Sequence, residues 1–181
     1  MLMRVRFGGL GGQGVVLAGA ILGEAATIAG LNAAGSNSYG AAARGTACRS
    51  DVVVADEPID YPHLAAADVL AVMSQAAYEK YLPIVAPGGV VFGDDFSVKG
   101  ISASGITFHG VPATATAVRE FGNRQGANII MLGVVLGGTG VLPVEQVREA
   151  IRRTVRERFH ATNLRALELG VEMGCAATGR K

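Results

Sequence analysis

The chain has 181 residues, of which half are hydrophobic and 17% are charged, and its formal net charge is +1. This length suits a single domain with a sizeable core, and so small a charge argues against nucleic-acid binding by electrostatic attraction. Cys48 and Cys175 stand far apart, and no cluster of Cys and His has the spacing of metal ligands. We therefore expect no iron–sulfur cluster and no structural zinc in this chain.

The sequence also indicates a location in the cell. The segment before the first glycines has neither the basic nor the apolar region of a secretory signal, and two isolated cysteines suit a reducing compartment. A long uncharged stretch, residues 126–144, is interrupted by several glycines and by Pro143. It therefore predicts a buried helix rather than a membrane span, and we expect a cytoplasmic protein.

In chain order, apolar and basic residues alternate over residues 3–7, which predicts a first strand with one polar face. A glycine-rich segment follows, and then a helix over residues 12–29 in which Glu24 is the only charged residue. A helix that is apolar almost all round is covered on more than one side, which suggests a surface for a partner chain. The later predicted strands are residues 31–34, 51–55, 69–72, 90–92 and 106–109, and the later predicted helices are residues 75–81, 112–121, 127–136, 143–158 and 163–173.

Alternating strands and helices predict the α/β class. We expect a Rossmann-like fold with a mainly parallel sheet, helices on both faces and a helical C-terminal part. It would form one domain over residues 1–173, followed by a disordered tail over residues 174–181. Ligands of such sheets bind beyond the carboxyl ends of the strands, where the connecting segments gather. These segments are residues 9–14, 35–50, 73–74 and 93–95.

The glycine segment Gly9-Leu10-Gly11-Gly12-Gln13-Gly14 matches the pattern G-x-G-x-x-G between a strand and a helix. A nicotinamide site also requires an acidic residue about 20 residues further on, but the chain has none between Glu24 and Asp51. A P-loop is excluded because no Gly-Lys-Ser/Thr follows. Two interpretations remain open. Either the glycines only permit a tight turn, or the N–H groups of Gly11 to Gly14 face an anionic ligand or an acidic partner group, with the Gln13 amide as a further donor and acceptor.

A second group of candidates lies in the segment over residues 35–50. Arg44 has a forked guanidinium that suits phosphate or carboxylate, Tyr39 offers a rigid contact surface, and Ser36 and Ser38 offer hydroxyls. The alternative is a glycine-punctuated loop without a ligand. Cys48 is expected to be a packed thiol, because no basic group accompanies it.

Three further features are more typical of structural roles than of a catalytic site. His63 and His109 are single histidines near strand ends. Asp94 and Asp95 form a carboxylate pair that suits either a metal or the end of a turn, and we expect a turn or helix cap. Ser74 is predicted to cap the helix over residues 75–81.

Several short segments, taken in order, resemble one known family. They are Gly9–Gly14; Ser38-Tyr39-Gly40 with Ala43-Arg44-Gly45 and Arg49-Ser50; residues 67–70, 73–75 and 78–83; residues 87–91 and 111–114; and residues 122–123, 127–128 and 163–170. Over residues 4–173 this succession is similar to the gamma subunit of 2-oxoacid:ferredoxin oxidoreductases. It departs from the family pattern locally, at Ala41-Ala42 and at Thr46.

The resemblance implies a subunit of an enzyme that oxidatively decarboxylates a 2-oxoacid, transfers the acyl group to coenzyme A and reduces ferredoxin. It implies that thiamine diphosphate, Mg and iron–sulfur clusters are held on alpha and beta subunits, with a delta subunit in some assemblies. This chain would then hold no cofactor firmly, have no catalytic or metal-binding residue and be inactive alone. The candidate contacts for coenzyme A or a subunit are Gly9, Gly11, Gly12, Gln13, Gly14, Ser38, Tyr39 and Arg44.

Within the family, the chain looks most like the free-standing gamma subunit of the 2-oxoglutarate enzyme. Pyruvate and 2-oxoisovalerate enzymes carry similar domains. The small subunit of the indolepyruvate enzyme is the nearest alternative. A stand-alone nucleotide-binding oxidoreductase is the alternative outside the family.

Overall fold

The computed structural model describes residues 1–39, 46–61, 63–102 and 105–180. The strands are β1 (Leu2–Leu10), β2 (Asn32–Ser38), β3 (Ala47–Ala55), β4 (Ala67–Val72), β5 (Val85–Asp94) and β6 (Thr107–Val111). The helices are α1 (Val15–Ile28), α2 (Gln75–Tyr81), α3 (Ala113–Phe121), α4 (Ala127–Thr139), α5 (Val144–Thr154) and α6 (His160–Thr178), with single 3-10 turns at Leu82–Ile84 and Glu157–Phe159.

The strands form one mixed sheet in the order β2-β3-β1-β4-β5-β6. Strands β1, β4, β5 and β6 are parallel, whereas β3 is antiparallel to both of its neighbours. The predicted α/β class, the mainly parallel sheet and the helical C-terminal part are therefore confirmed. Because β3 separates β2 from β1, the end of β2 is not the neighbour of the glycine segment that a conventional dinucleotide site requires.

Part of the predicted loop over residues 35–50 is strand. Strand β2 continues to Ser38, and β3 already begins at Ala47. Small and polar residues such as Gly35 and Asn37 have low intrinsic strand propensity. They are extended here because the whole of β2 pairs with the valine-rich β3, from Asn32 opposite Ala55 to Ser38 opposite Arg49.

Helix α1 is covered on both sides within the chain. One side packs on β2 and β3, and the other side packs against α5. Its Ile21 and Leu22 are fully buried, and Glu24 forms an ion pair with Arg153 of α5 at 3.6 Å. The apolar character of this helix is thus explained by α5, and the partner surface expected from the sequence is not needed.

Helices α4 and α6 pack with their backbones in contact. A Cβ atom on Gly137 would lie 2.2 Å from the Val171 carbonyl oxygen, and one on Gly170 would lie 2.1 Å from that of Ile130. Gly174 is likewise buried against α4, and α6 continues to Thr178. The expectation of a disordered tail from residue 174 is therefore wrong for residues 174–178, because Gly174 is a packing position and not a helix end.

Helices cover both faces of the sheet, but unequally. The larger core lies between the sheet and the helices α1 and α3–α6, and a smaller core lies under α2. On the α2 face, the guanidinium of Arg6 donates to both oxygens of Asp51 at 2.6 and 2.7 Å and lies 5.0 Å from the Tyr81 ring centre. Arg6 and Asp51 are buried, so this bidentate pairing compensates two buried charges, and Arg49 donates to the same carboxylate at 3.2 Å.

Candidate functional site

The glycine segment includes the last two residues of β1, Gly9 and Leu10, and then forms the tight turn that leads to α1. Gly12 and Gly14 have φ values of +94° and +76°, a left-handed conformation that glycine adopts without steric cost. At Gly9, a Cβ atom would lie 2.7 Å from the side-chain oxygen of Gln13. The backbone therefore requires glycine at these three positions, whether or not the turn binds a ligand.

The Gln13 side chain is part of this turn. Its Oε1 accepts a hydrogen bond from the Leu10 N–H at 2.6 Å, and its Nε2 donates to the Met73 carbonyl at 2.9 Å. Gln13 thus joins the end of β1 to the end of β4. The sequence suggested that this amide offers a donor and an acceptor to a ligand, but here it satisfies backbone groups of the chain itself.

Two helices begin side by side at this edge of the sheet. Helix α1 follows Gly14 and helix α4 follows Gly126, and neither glycine provides a side-chain cap. The Asn128 side-chain amide donates to the Gly14 carbonyl at 3.0 Å and joins the two helix starts. The first N–H groups of a helix have no partner within it, and its N-terminus has a positive potential. The two helix starts therefore reinforce each other's attraction for an anion.

A cavity of about 470 Å³ opens beside these helix starts. We call it the carboxyl-edge cavity; its wall includes Gly12, Gly14, Phe96, Arg124, Asn128 and Phe159. The Arg124 guanidinium lies 4.9 Å from the Phe96 ring centre, which favours a cation–π contact. Phe96 and Phe159 are exposed at 56% and 42%, so aromatic surface is available at the cavity.

This arrangement suits recognition rather than acid–base chemistry. The part of the wall that the structure describes contains no carboxylate, imidazole or thiol. Main-chain N–H groups and Arg124 favour a phosphate or carboxylate, while aromatic and aliphatic side chains favour an attached ring or chain. Arg124 and Asn128 were not predicted as functional residues. The usable signal was the glycine directly before the apolar helix α4, which repeats the arrangement before α1.

Of the second predicted group, Ser38 and Tyr39 lie at the same edge but outside this cavity. Ser38 pairs with Arg49, which in turn pairs with Gly8, so Ser38 lies two strands away from the glycine segment. Tyr39 is exposed at 71%. Arg44 lies outside the described residues. The expected gathering of segments at the carboxyl ends of the strands is confirmed for the glycine turn and for Met73, which both line the cavity.

The remaining candidates have structural surroundings. Ser74 accepts a hydrogen bond from the Ala77 N–H at 3.2 Å and caps α2, as predicted. Asp94 is fully buried, and it accepts hydrogen bonds from the N–H, at 3.0 Å, and from the hydroxyl of Thr114 in the first turn of α3. Asp94 therefore holds a helix start, as expected. The described residues contain no group of three His, Cys, Asp or Glu side chains that could hold a metal ion.

The two histidines and Cys48 also contact the fold itself. The His109 ring stacks on Phe92 with ring centres 5.6 Å apart, and His63 meets Tyr61 edge-on at 5.1 Å. Burial raises the pKa of the Cys48 thiol, although a hydrogen bond from its backbone opposes the shift. A raised pKa disfavours the thiolate, which agrees with a packed and unreactive thiol.

Comparison with known proteins identifies the family. The pattern of the pyruvate ferredoxin/flavodoxin oxidoreductase family matches residues 4–173. The chain belongs to this family. Among curated relatives, the family member 2-oxoglutarate synthase subunit KorC of Methanothermobacter marburgensis is 37% identical over 96% of this chain and 97% of its own length. KorC of Methanocaldococcus jannaschii is 38% identical over 96% of this chain and 94% of its own length. Indolepyruvate oxidoreductase subunit IorB of Archaeoglobus fulgidus is 26% identical over 95% of this chain and 94% of its own length.

Solved structures of the family agree. The gamma subunit of a keto/oxoacid ferredoxin oxidoreductase from Geobacter sulfurreducens superposes with a TM-score of 0.88 at 35% identity, over 98% of both chains. A 2-oxoglutarate:ferredoxin oxidoreductase from Magnetococcus marinus, with 2-oxoglutarate, coenzyme A and succinyl-CoA bound, shares the fold at 22% identity and a TM-score of 0.85. The superposition covers 97% of this chain and 31% of the Magnetococcus chain.

The chain is thus a gamma subunit of a 2-oxoacid:ferredoxin oxidoreductase, and the resemblance read from the sequence is confirmed. Its family relatives are subunits of oxidoreductase complexes, which places it outside the stand-alone class considered from the sequence. No helix in the described parts of the chain combines the length and apolarity that crossing a membrane requires.

Proposed function

We propose that this chain is the gamma subunit of a cytoplasmic complex that oxidises 2-oxoglutarate. The observation that carries the choice of oxoacid is that this chain matches 97% and 94% of the length of two 2-oxoglutarate synthase subunits at 37–38% identity. A ketoisovalerate oxidoreductase subunit, VorA, is 36% identical, but the match covers only 36% of its length, and the indolepyruvate subunit is 26% identical. In this proposal, thiamine diphosphate, Mg and the iron–sulfur clusters lie on alpha and beta subunits, with a delta subunit in some assemblies, and ferredoxin accepts the electrons. The isolated chain would be inactive, since its carboxyl-edge cavity has no acid–base group among the described residues.

We also propose that the carboxyl-edge cavity faces coenzyme A in the assembled enzyme. Coenzyme A combines several phosphate charges with an adenine ring, and the cavity combines two uncapped helix starts and Arg124 with exposed aromatic rings. The solved Magnetococcus enzyme, whose fold includes this domain, has coenzyme A bound. The N–H groups of Gly11, Gly12 and Gly14 and the Arg124 guanidinium would bind phosphate, and Phe96 would support that guanidinium. Gly9 and Gln13 would shape the turn, because Gly9 lies in β1 and the Gln13 N–H donates to the Leu10 carbonyl at 3.1 Å. Ser38, Tyr39 and Arg44 would contact coenzyme A or a subunit.

The test uses the complex assembled with its larger subunits. Removing the Arg124 guanidinium deletes a charged hydrogen-bond donor, and such bonds are worth about 1.5–3 kcal/mol. Arg124→Ala should therefore raise the KM for coenzyme A by about 10-fold or more while the KM for 2-oxoglutarate stays unchanged. Arg119→Ala is the matched control, because Arg119 is exposed and pairs with its neighbour Glu120 outside the cavity. An unchanged KM for coenzyme A in Arg124→Ala would remove the cavity from the proposal.

The same assembled enzyme decides the oxoacid. Its kcat/KM should be highest with 2-oxoglutarate when pyruvate, 2-oxoisovalerate and indolepyruvate are compared under one set of conditions with ferredoxin as acceptor. A preference for indolepyruvate would establish the alternative assignment. Arg44→Ala tests the second predicted group, since an unchanged dependence on coenzyme A would exclude Arg44 from a ligand role.

A further inference from the structure

A second cavity lies at the opposite end of the sheet, where the parallel strands begin. Its volume is about 470 Å³, and its wall combines the start of β1 with the segment after β3. We call it the amino-edge groove; its wall includes Leu2, Val53, Glu57, Ile59, Asp60 and Tyr61. Leu2 and Tyr61 are exposed at 59% and 69%, although both are large and hydrophobic. Exposed hydrophobic side chains that gather at one cavity are typical of an interaction surface.

The charge that is left without a partner around the amino-edge groove is negative. The chain has no Lys or Arg between Arg49 and Lys80, whereas this stretch contains Asp56, Glu57 and Asp60. Glu57 and Asp60 are exposed and form no ion pair with any part of the chain that the structure describes. Asp56 is paired with the amino group of Met1. The groove therefore has an apolar floor and an acidic rim with two unpaired carboxylates.

The one arginine of the wall does not offset this charge. The guanidinium of Arg4 donates to both oxygens of Asp68, at 3.0 and 2.7 Å. Burial would raise the pKa of Asp68, but the hydrogen bonds from Arg4 outweigh burial and lower the pKa below its usual value. Asp68 therefore remains ionised at neutral pH and neutralises Arg4, so the unpaired negative charge of Glu57 and Asp60 dominates the rim.

We propose that the amino-edge groove binds a segment of a larger subunit of the complex in which a Lys or Arg stands next to an aliphatic or aromatic side chain. The apolar side chain would cover Leu2 and Tyr61, and the cation would approach Glu57 and Asp60. Two identical acidic rims repel each other, which disfavours a second copy of this groove as the occupant, and anionic lipid headgroups are repelled in the same way. The inference rests on the proposed function in one respect, namely that the chain works inside a complex of subunits.

The experiment measures association of this chain with the co-produced larger subunits in the purified complex, by analytical ultracentrifugation at about 0.1 M and about 1 M salt. The double variant Glu57→Lys/Asp60→Lys should weaken association about 10-fold at the lower salt concentration. The loss should be much smaller at the higher one, because the screening length falls from about 10 Å to about 3 Å. Leu2→Ser should weaken association about fivefold or more at both concentrations, since it removes apolar contact rather than charge.

Two controls define the result. Glu57→Asp/Asp60→Glu keeps both charges and should associate like the unmodified chain. Glu172→Lys reverses an exposed charge of α6, far along the chain from the groove, and should have no effect on association. Each variant is compared with the unmodified chain by circular dichroism and thermal unfolding, so that a folding defect is recognised, and Leu2→Ser is the second variant that does not depend on charge.

The outcomes separate the two proposals. If the unmodified chain does not join the larger subunits, the proposed function fails and this inference fails with it. If the unmodified chain joins them and both the charge-reversal variant and Leu2→Ser join them within twofold of its affinity, only the amino-edge groove is excluded. Self-association of the isolated chain that these variants abolish would identify a second copy as the occupant and overturn the assignment to a larger subunit.

Discussion

At the scale of single residues, Gln13 shows how a family signature residue can be structural. Its amide lies between the end of β1 and the end of β4 and satisfies one backbone donor and one backbone acceptor, of Leu10 and Met73. Both bonds are partly buried, so water replaces them poorly once the side chain is removed. Gln13 therefore controls the shape of the turn that presents its N–H groups to the carboxyl-edge cavity.

This role predicts that Gln13→Ala destabilises the fold by about 1–3 kcal/mol, the usual cost of leaving buried polar groups without partners. The free energy of unfolding in urea measures it. Gln125→Ala is the matched control, since Gln125 is an exposed glutamine of the same cavity wall, and it should change stability by about 0.5 kcal/mol or less. Equal stability of the two variants would mean that the Gln13 hydrogen bonds are not formed in solution.

At the scale of elements, the packing of α4 against α6 determines how the C-terminal part is built. Gly133 and Gly137 face Gly170 and Gly174, and a Cβ atom at any of the four would lie within 2.4 Å of a backbone carbonyl oxygen of the other helix. Backbone atoms cannot move aside as a flexible side chain does, so the two helices would have to separate. The close approach fixes α4, whose N-terminus borders the carboxyl-edge cavity.

Gly137→Ala should therefore destabilise the fold by about 2–3 kcal/mol, because the added methyl group overpacks the contact with Val171. Gly23→Ala in α1 provides a control of opposite sign. A Cβ atom there meets nothing within 4 Å, and alanine should stabilise the helix by about 0.5–1 kcal/mol. Urea unfolding of both variants tests the pair, and a stabilising Gly137→Ala would contradict the backbone contact.

Elements with a clear apolar period could be predicted from the sequence, and those shaped by a distant partner could not. The strand–turn–helix at the start of the chain, the cap at Ser74 and the parallel strands were predictable because local residues determine them. Strand β2 was predicted as only a short segment because its small residues are extended through pairing with β3. The end of α6 was predicted too early because glycine is typical of a helix end, whereas Gly174 allows α6 to pack closely against α4.

The candidate site was predictable to the same extent. The glycine segment at the carboxyl end of β1 follows from the local pattern, and so does its position at the ligand-binding edge of the sheet. Arg124 lies in the turn before α4 and Asn128 in the first turn of α4, both more than a hundred residues later in the chain. Their proximity to the glycine turn depends on how α4 packs beside α1, which no local pattern determines.

At the scale of the whole molecule, the two proposed surfaces lie at opposite ends of the sheet. Strand β1 begins with Leu2 at the amino-edge groove and ends with Leu10 at the glycine turn. Nine extended residues span about 26 Å, well beyond the range over which substitutions usually interact. One edge can therefore face coenzyme A while the other anchors the chain to a neighbouring subunit.

This separation predicts additive effects. When Arg124→Ala is combined with Glu57→Lys/Asp60→Lys, the KM for coenzyme A should follow the Arg124 substitution and the affinity for the larger subunits should follow the groove substitutions. Each quantity is measured in the four members of a double-mutant cycle, with the complex kept saturated in this chain for the kinetic assays. The coupling free energy should stay below about 0.5 kcal/mol, because the substituted side chains share no contact and lie far apart. A larger coupling would show that assembly at the amino edge changes the carboxyl-edge cavity, so that the two surfaces are energetically coupled and not independent.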